Sequence, residues 1–185
     1  MNVRLILSVV VTGFLMVTAG VFGPGFPAAT SHAAEDGAEV ARLKAEIEQL
    51  KSRLPSQSHA MIDVGYHFSN LWFAVQQQNW ALAEFYLNET RSHLRWAVRI
   101  VPVRRTKAGE VDLRGLLESV DRGGLTEIGK AIADKHVERF AGAYRQTLEG
   151  CYACHAASDK PYLRPRIPDR PETTIINFDP AASRP

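Results

Sequence analysis

The chain has 185 residues, a formal net charge of +2 and two cysteines. A net charge this small argues against nucleic acid or anionic lipid as the partner, and the length suffices for one domain with a sizeable core. A single motif near the C-terminus uses both cysteines, so we expect no disulfide.

Residues 1–33 are predicted to form a signal peptide. An apolar run from Leu5 to Phe22 leads to Ser31-His32-Ala33, where small residues favour cleavage after Ala33. The alternative is an uncleaved membrane anchor, because a run of about 18 apolar residues nearly spans a bilayer. In either case the rest of the chain is exported, and we expect it in the periplasm.

Residues 36–54 are predicted to form a short helix with a heptad seam. Apolar residues follow alternating steps of three and four, at Val40, Leu43, Ile47, Leu50 and Leu54. In a parallel pair, Glu39 would face Lys44 of the partner, and Glu46 would face Lys51. The segment from 39 to 54 is therefore predicted to form a homodimer, or else an amphipathic helix that folds back on its own domain.

The next segment, residues 56–159, is predicted to be an antiparallel bundle of four helices, so the fold class is all-α. The first helix covers about 58–78, and Asn79 caps a second helix that ends at Pro102. A polar loop follows over 104–109. The third helix begins at Leu113 and bends at Gly123-Gly124, and Asp134 is expected to cap the fourth. No segment alternates as a strand, and the proline-rich residues 160–185 are expected to run extended over the bundle.

The fourth predicted helix ends in Cys151-Tyr152-Ala153-Cys154-His155. Cys-x-x-Cys-His is the attachment motif of c-type haem, in which both thiols bond to the porphyrin and the histidine binds the iron. A redox pair or a zinc site would need a βαβ context or a second ligand pair, and neither is present. We therefore expect one covalent haem c, bound through Cys151, Cys154 and His155, which makes the chain a haem protein.

This late haem motif in a helical bundle resembles the cytochrome c′ family, the class II c-type cytochromes. The stretch from Tyr66 to Ala74, followed by Asn79-Trp80-Ala81-Leu82-Ala83, is also similar to exported monohaem proteins with a HxxxLWFA…NWxLA block. The resemblance covers about residues 58–165. It implies a four-helix bundle with the haem at the end of the last helix. Gln76-Gln77-Gln78 stands where such bundles often have a glycine turn.

The sixth iron position is expected to be filled from the first half of the first bundle helix. His67 and Met61 both lie there and flank the apolar stripe. His67 is the preferred metal ligand beside His155, with Met61 or an open iron as the alternatives. Glu84 and Glu89 raise the question of a di-iron bundle, but Glu89 and His93 are four residues apart, not three, and no second pair exists.

Two function classes follow from the haem motif. The first is a one-electron carrier with a redox partner protein in the cell envelope, and it is favoured. The second, which similarity to cytochromes c′ implies, is a module that binds small gases such as nitric oxide at five-coordinate iron. An enzyme is not expected, because the sequence names no set of polar distal groups beyond His67.

Overall fold

The computed structural model of the chain describes residues 30–183, with side chains from residue 36 onward. The predicted signal peptide therefore lies almost entirely outside the described residues. The described part forms two units, residues 30–52 and residues 53–183. None of the helices within residues 30–183 combines the length and the apolar character that crossing a membrane requires.

Helix α1 (Thr30–Arg53) covers the heptad segment. The apolar side chains of the predicted seam are all exposed by 45% or more of their surface, and they are Val40, Leu43, Ile47, Leu50 and Leu54. An apolar row of this kind on a helix normally faces a partner surface.

Helices α2 (Gln57–Gln76) and α3 (Trp80–Ile100) form a hairpin whose bounds agree with the predicted first and second helices. The side chain of Asn79 accepts a hydrogen bond from Leu82 N–H, as expected of an N-cap. The three-residue link contains Gln78 at φ 55°, in the left-handed region. The N–H of Asn79 donates to Ala74 over 2.8 Å, which completes a Schellman motif without glycine.

A β-hairpin stands where the sequence predicted a polar loop without strands. Strands β1 (Val103–Thr106) and β2 (Gly109–Asp112) pair antiparallel, with Thr106 opposite Gly109. The expectation of no strand is therefore wrong. The inward-facing side of β1 carries Arg104 and Thr106 instead of apolar residues, so hydrophobic alternation could not reveal the hairpin.

Helices α4 (Leu113–Val120) and α5 (Thr126–Ala133) are joined through Asp121–Leu125, with a kink at Gly123. Gly123 has φ −89° and ψ −106°, outside helical values, so the predicted bend is confirmed. Helix α6 (Val137–Ala157) follows, and its N-cap is His136, which accepts from Arg139 N–H. The expectation that Asp134 caps this helix is wrong, because Asp134 instead ends α5 and Lys135 at φ 55° separates the two helices.

The second unit is mostly helical, as predicted, and its helices share one core. Phe68 of α2 stacks on Tyr144 of α6 with ring centroids 4.2 Å apart, and Trp72 lies 5.0 Å from the same tyrosine. Leu125 and Ile128 add fully buried aliphatic side chains from the kink and α5. The residues after α6 run without regular structure across this unit, in agreement with the extended tail that the sequence predicted.

Candidate functional site

The motif Cys151-Tyr152-Ala153-Cys154-His155 occupies the last two turns of α6, which ends at Ala157. Both cysteines are free thiols, and both are half-buried, as is His155. Residues three and four apart share one face of a helix, so the two thiols and the imidazole leave α6 on the same side. The three groups are therefore available to a single ligand.

A turn that involves His155 itself closes α6 immediately after the motif. The N–H of Lys160 donates to the His155 carbonyl over 2.9 Å, and Asp159 between them has φ 60°. The carboxylate of Asp159 also accepts from the backbone N–H of Lys107, in the hairpin loop, over 2.9 Å. This second Schellman-type closure fixes the last turn of α6 and ties it to the β-hairpin.

The imidazole of His155 is oriented by the tail. Its Nδ1 lies 2.9 Å from the carbonyl oxygen of Leu163, which can only accept, so Nδ1 carries the proton. The other nitrogen, Nε2, then presents a free lone pair, the form in which imidazole binds a metal. Histidines that bind metals almost always donate their second ring N–H to a carbonyl, a carboxylate or water.

Burial sets the protonation of the two thiols. It raises the pKa of Cys151 to about 11, with the neighbouring Cys154 contributing to the rise. Burial also raises the pKa of Cys154, against smaller opposing effects of the Ser158 hydrogen bond and of Arg104. Thiol–disulfide exchange needs a thiolate, and reactive Cys-x-x-Cys pairs have lowered pKa values. The raised pKa values argue against a redox-active dithiol.

The donor set of this site fits a covalent haem c. Two free thiols lie at the required spacing, and the adjacent imidazole is held with one nitrogen available. Beside the motif, α6 and the tail enclose an open groove of about 520 Å³. Apolar, basic and acidic side chains border it, and neither cysteine nor His155 is among them; they are Arg145, Leu148, Glu149, Tyr152, Arg164, Pro165 and Ile167.

His67 lies against α3, not against α6. Its ring centroid is 4.9 Å from that of His93 and 6.3 Å from that of Phe85, both on α3. The next residue, Phe68, is the one that meets α6, and its carbonyl accepts from the Tyr144 hydroxyl over 3.0 Å. One step along a helix turns the side chain by about 100°. This placement argues against the expectation that His67 is the sixth ligand of an iron bound by His155.

Two contacts set the level of the haem motif along α2. Arg104 donates to the Gln57 side chain at the start of α2, and its positive charge acts to lower the pKa of the Cys154 thiol, against the larger effect of burial. The bond from Tyr144 to Phe68 lies later along α2 but earlier along α6, so the two helices run antiparallel. Tyr144 precedes His155 by about 16 Å of helix, which places His67 two to three turns from the motif. Met61 is half-buried. It lies seven residues before Phe68, and Cys151 lies seven residues after Tyr144, so the antiparallel helices bring the two to about the same level.

Three contributions to the site were not predicted from the sequence: the Leu163 carbonyl, the Asp159 carboxylate and Arg104. Leu163 acts through its backbone, which carries no signal in the residue type. Asp159 and Arg104 depend on the hairpin, which hydrophobic periodicity did not reveal. No family model matches the chain, and no match is found among curated proteins or solved structures.

Proposed function

We propose that the chain is an exported monohaem c-type cytochrome that carries single electrons. Cys151 and Cys154 would hold the haem covalently, and His155 would bind its iron through Nε2. The observation that carries the proposal is the hydrogen bond between His155 Nδ1 and the Leu163 carbonyl, at 2.9 Å. It holds the histidine of an attachment motif in the tautomer that an iron ligand needs.

The architecture supports the same proposal. If α4, the kink and α5 count as one bent helix, then α2, α3, this bent helix and α6 would correspond to the four helices that the resemblance to cytochromes c′ implies. Core contacts join α2 to α3 and to α6, and α5 to both α3 and α6. The motif falls at the end of the last helix, as the resemblance implies. In such bundles, cofactors bind between side chains of facing helices.

When bound, the haem supplies a one-electron couple between ferric and ferrous iron. The chain's own residues determine how the haem is held and how exposed it is. The Leu163 carbonyl orients the proximal imidazole, and the closed final turn of α6 keeps both cysteines in register. The tail and Tyr152 border the groove beside the motif. A redox partner protein of the cell envelope would dock at the exposed edge.

Gas binding at a five-coordinate iron is the second candidate function. The observation in its favour is that His67 faces α3, so the preferred sixth ligand points away from α6. Met61, level with Cys151, is then the side chain of α2 best placed to complete a six-coordinate iron. A carrier would have this thioether on the iron, whereas a gas binder would leave the position to the gas.

Covalent attachment is the first prediction. Protein produced with a haem maturation system is expected to retain haem through acid-acetone extraction and to gain the mass of one porphyrin. Cys151→Ala combined with Cys154→Ala should abolish both signals. His155→Ala should keep the attachment but change the iron spectrum, and His59→Ala, an exposed histidine, is the control. Haem that washes out of the denatured protein would contradict the proposal.

Optical spectra distinguish the two functions, which is the second prediction. If Met61 binds the iron, the wild type is low-spin, and Met61→Ala is expected to make it high-spin and open to carbon monoxide. His67→Ala should leave the haem spectrum unchanged, because that side chain faces α3. A high-spin wild-type spectrum that neither substitution changes would favour gas binding. A change with His67→Ala alone would restore His67 as the sixth ligand.

A further inference from the structure

Three side chains that the proposed haem site does not use meet between α2 and α3. His67 projects from α2, and Glu89 and His93 project from α3, where a spacing of four residues places them on one face. Each residue offers one nitrogen or oxygen, and these three atoms lie within 4.8 Å of one another. A cluster of two imidazoles and a carboxylate contains the ligand types of many transition-metal sites.

The His93 ring is oriented with one nitrogen free. Its Nδ1 lies 2.9 Å from the backbone carbonyl of Glu89, an acceptor, so Nδ1 carries the proton and Nε2 has the lone pair. The carboxylate of Asp63 lies 3.7 Å from that Nε2 and adds a fourth potential ligand atom within reach. The orientation is the one that metal-binding histidines adopt, with the second nitrogen donating to a carbonyl.

His67 supplies the second observation. Its Nδ1 is buried and has no hydrogen-bond partner among residues 36–183. Buried polar atoms are nearly always satisfied, so an unpaired ring nitrogen in a cluster of ligand-type side chains indicates a missing partner. Burial is also the main cause that lowers the pKa of His67, followed by the neighbouring His93. The neutral imidazole that results is the form that a metal requires.

Aromatic rings pack around the His67 ring, and the buried one among them is Tyr86, at a centroid distance of 6.0 Å. Tyr66 and Phe85 stand edge-on to the His67 ring, at centroid distances of 5.1 and 6.3 Å. The opposite side is open, because the Glu89 and Asp63 side chains are 36% and 46% exposed. An ion could therefore enter from solvent and be held against a wall of low polarity, which strengthens its attraction to the carboxylates.

We propose that His67, Glu89 and His93 form a binding site for a divalent late first-row transition metal, with Zn²⁺ as the reference ion and Asp63 as an additional ligand. Bonds of about 2.0–2.2 Å would place the ligand atoms about 3.3–3.6 Å apart around a tetrahedron. The ligand atoms, now within 4.8 Å of one another, would have to approach to this spacing by rotation of the side chains. Imidazole ligands favour zinc, copper, nickel or iron over magnesium and calcium. The site is independent of haem attachment, since it shares no residue with the motif on α6.

The test is metal binding by the full-length chain after treatment with a chelator. Titration with Zn²⁺, followed by calorimetry and by elemental analysis, is expected to show one bound ion. His93→Ala and Glu89→Gln should each weaken binding by at least about 10-fold, because losing a ligand costs more than losing its outer partner. The matched controls are His59→Ala on α2 and Glu84→Gln on α3, both at exposed positions, and they should bind as the wild type does.

Free thiols also bind zinc, so the titration is repeated in a chain with Cys151→Ser and Cys154→Ser. Binding that persists there and disappears with His93→Ala supports the site. The proposal would be overturned if replacing the two cysteines abolished zinc binding while His93→Ala left it unchanged. It would also be overturned if no ion bound at all. Circular dichroism of each variant shows whether a loss of metal binding is caused by a loss of fold. If a variant does not fold, Asp63→Asn, at the edge of the cluster, replaces it, and we expect this variant to weaken metal binding to a smaller extent. The outcome leaves the haem proposal untouched.

Discussion

Gly124 marks the place where the kink between α4 and α5 comes closest to α6. A Cβ added there would lie 2.2 Å from the Thr147 hydroxyl oxygen and 3.0 Å from the Thr147 Cα. Thr147 cannot yield, because it is 2% exposed and its hydroxyl donates to the Ala143 carbonyl over 2.9 Å. One helical turn further on, Cys151 begins the haem motif, so this close approach positions the segment that carries the motif.

The third prediction follows from this contact. Gly124→Ala is expected to lower the free energy of unfolding by about 1–3 kcal/mol, since an extra methyl group overpacks a rigid site. The control is Gly142→Ala on α6, where an added Cβ meets nothing within 4 Å and alanine favours the helix by up to about 1 kcal/mol. Denaturant unfolding of both variants measures the difference. Equal stability would show that α6 can move away from the kink.

At the scale of elements, α1 carries an exposed apolar row, and its charged side chains pair with one another along the same helix. Lys51 pairs with Glu48 at 2.6 Å and Arg42 with Glu39 at 3.9 Å, along the same helix. Such exposed pairs contribute little to stability. Two heptads are also marginal as an isolated helix. A second copy of α1 would cover the apolar row and would supply the stability that neither the exposed ion pairs nor an isolated helix of two heptads provides.

Self-association through α1 is the fourth prediction. Sedimentation of the chain beginning at residue 34 is expected to give a dimer, and a chain beginning at Pro55 a monomer. Ile47→Glu in the longer chain should also give a monomer, because it places a charge in the middle of the seam. Glu48→Gln, outside the seam, is the control. Equal masses for the long and short chains would exclude the dimer.

Helix periodicity predicted the course of α2 and α3, because each buries one apolar stripe. The glycine pair Gly123-Gly124 predicted the bend. It could not assign His67 to a neighbour. That residue lies at the edge of its stripe, where a side chain can face either adjacent helix, and only the packing of α2 on α3 decides. The hairpin escaped detection for a different reason. Its pairing joins short strands whose inward side chains, such as Arg104, are polar.

At the scale of the whole second unit, the tail that follows α6 packs on α2 and α3. The amide of Asn79 donates to the Phe178 carbonyl over 3.2 Å, and the Phe178 ring lies 6.2 Å from Tyr86. The backbone N–H of Glu172 donates to Asn70, which is fully buried. Prolines in the sequence predicted an extended tail, but not the anchors that hold it on α2 and α3. One segment thus orients His155 and also covers the helix hairpin.

Within residues 30–183, three helices end with a non-glycine residue in the left-handed region: Gln78, Lys135 and Asp159. That conformation costs such a residue about 1–2 kcal/mol, part of which glycine returns through its greater freedom in the unfolded chain. As the fifth prediction, Gln78→Gly and Lys135→Gly together should raise the melting temperature by about 3 °C, measured by calorimetry. Asp159→Gly should not, because it removes the acceptor for Lys107. We therefore expect a gain in heat resistance at the two helix ends remote from the motif, while the third end keeps a residue whose carboxylate ties the end of α6 to the β-hairpin.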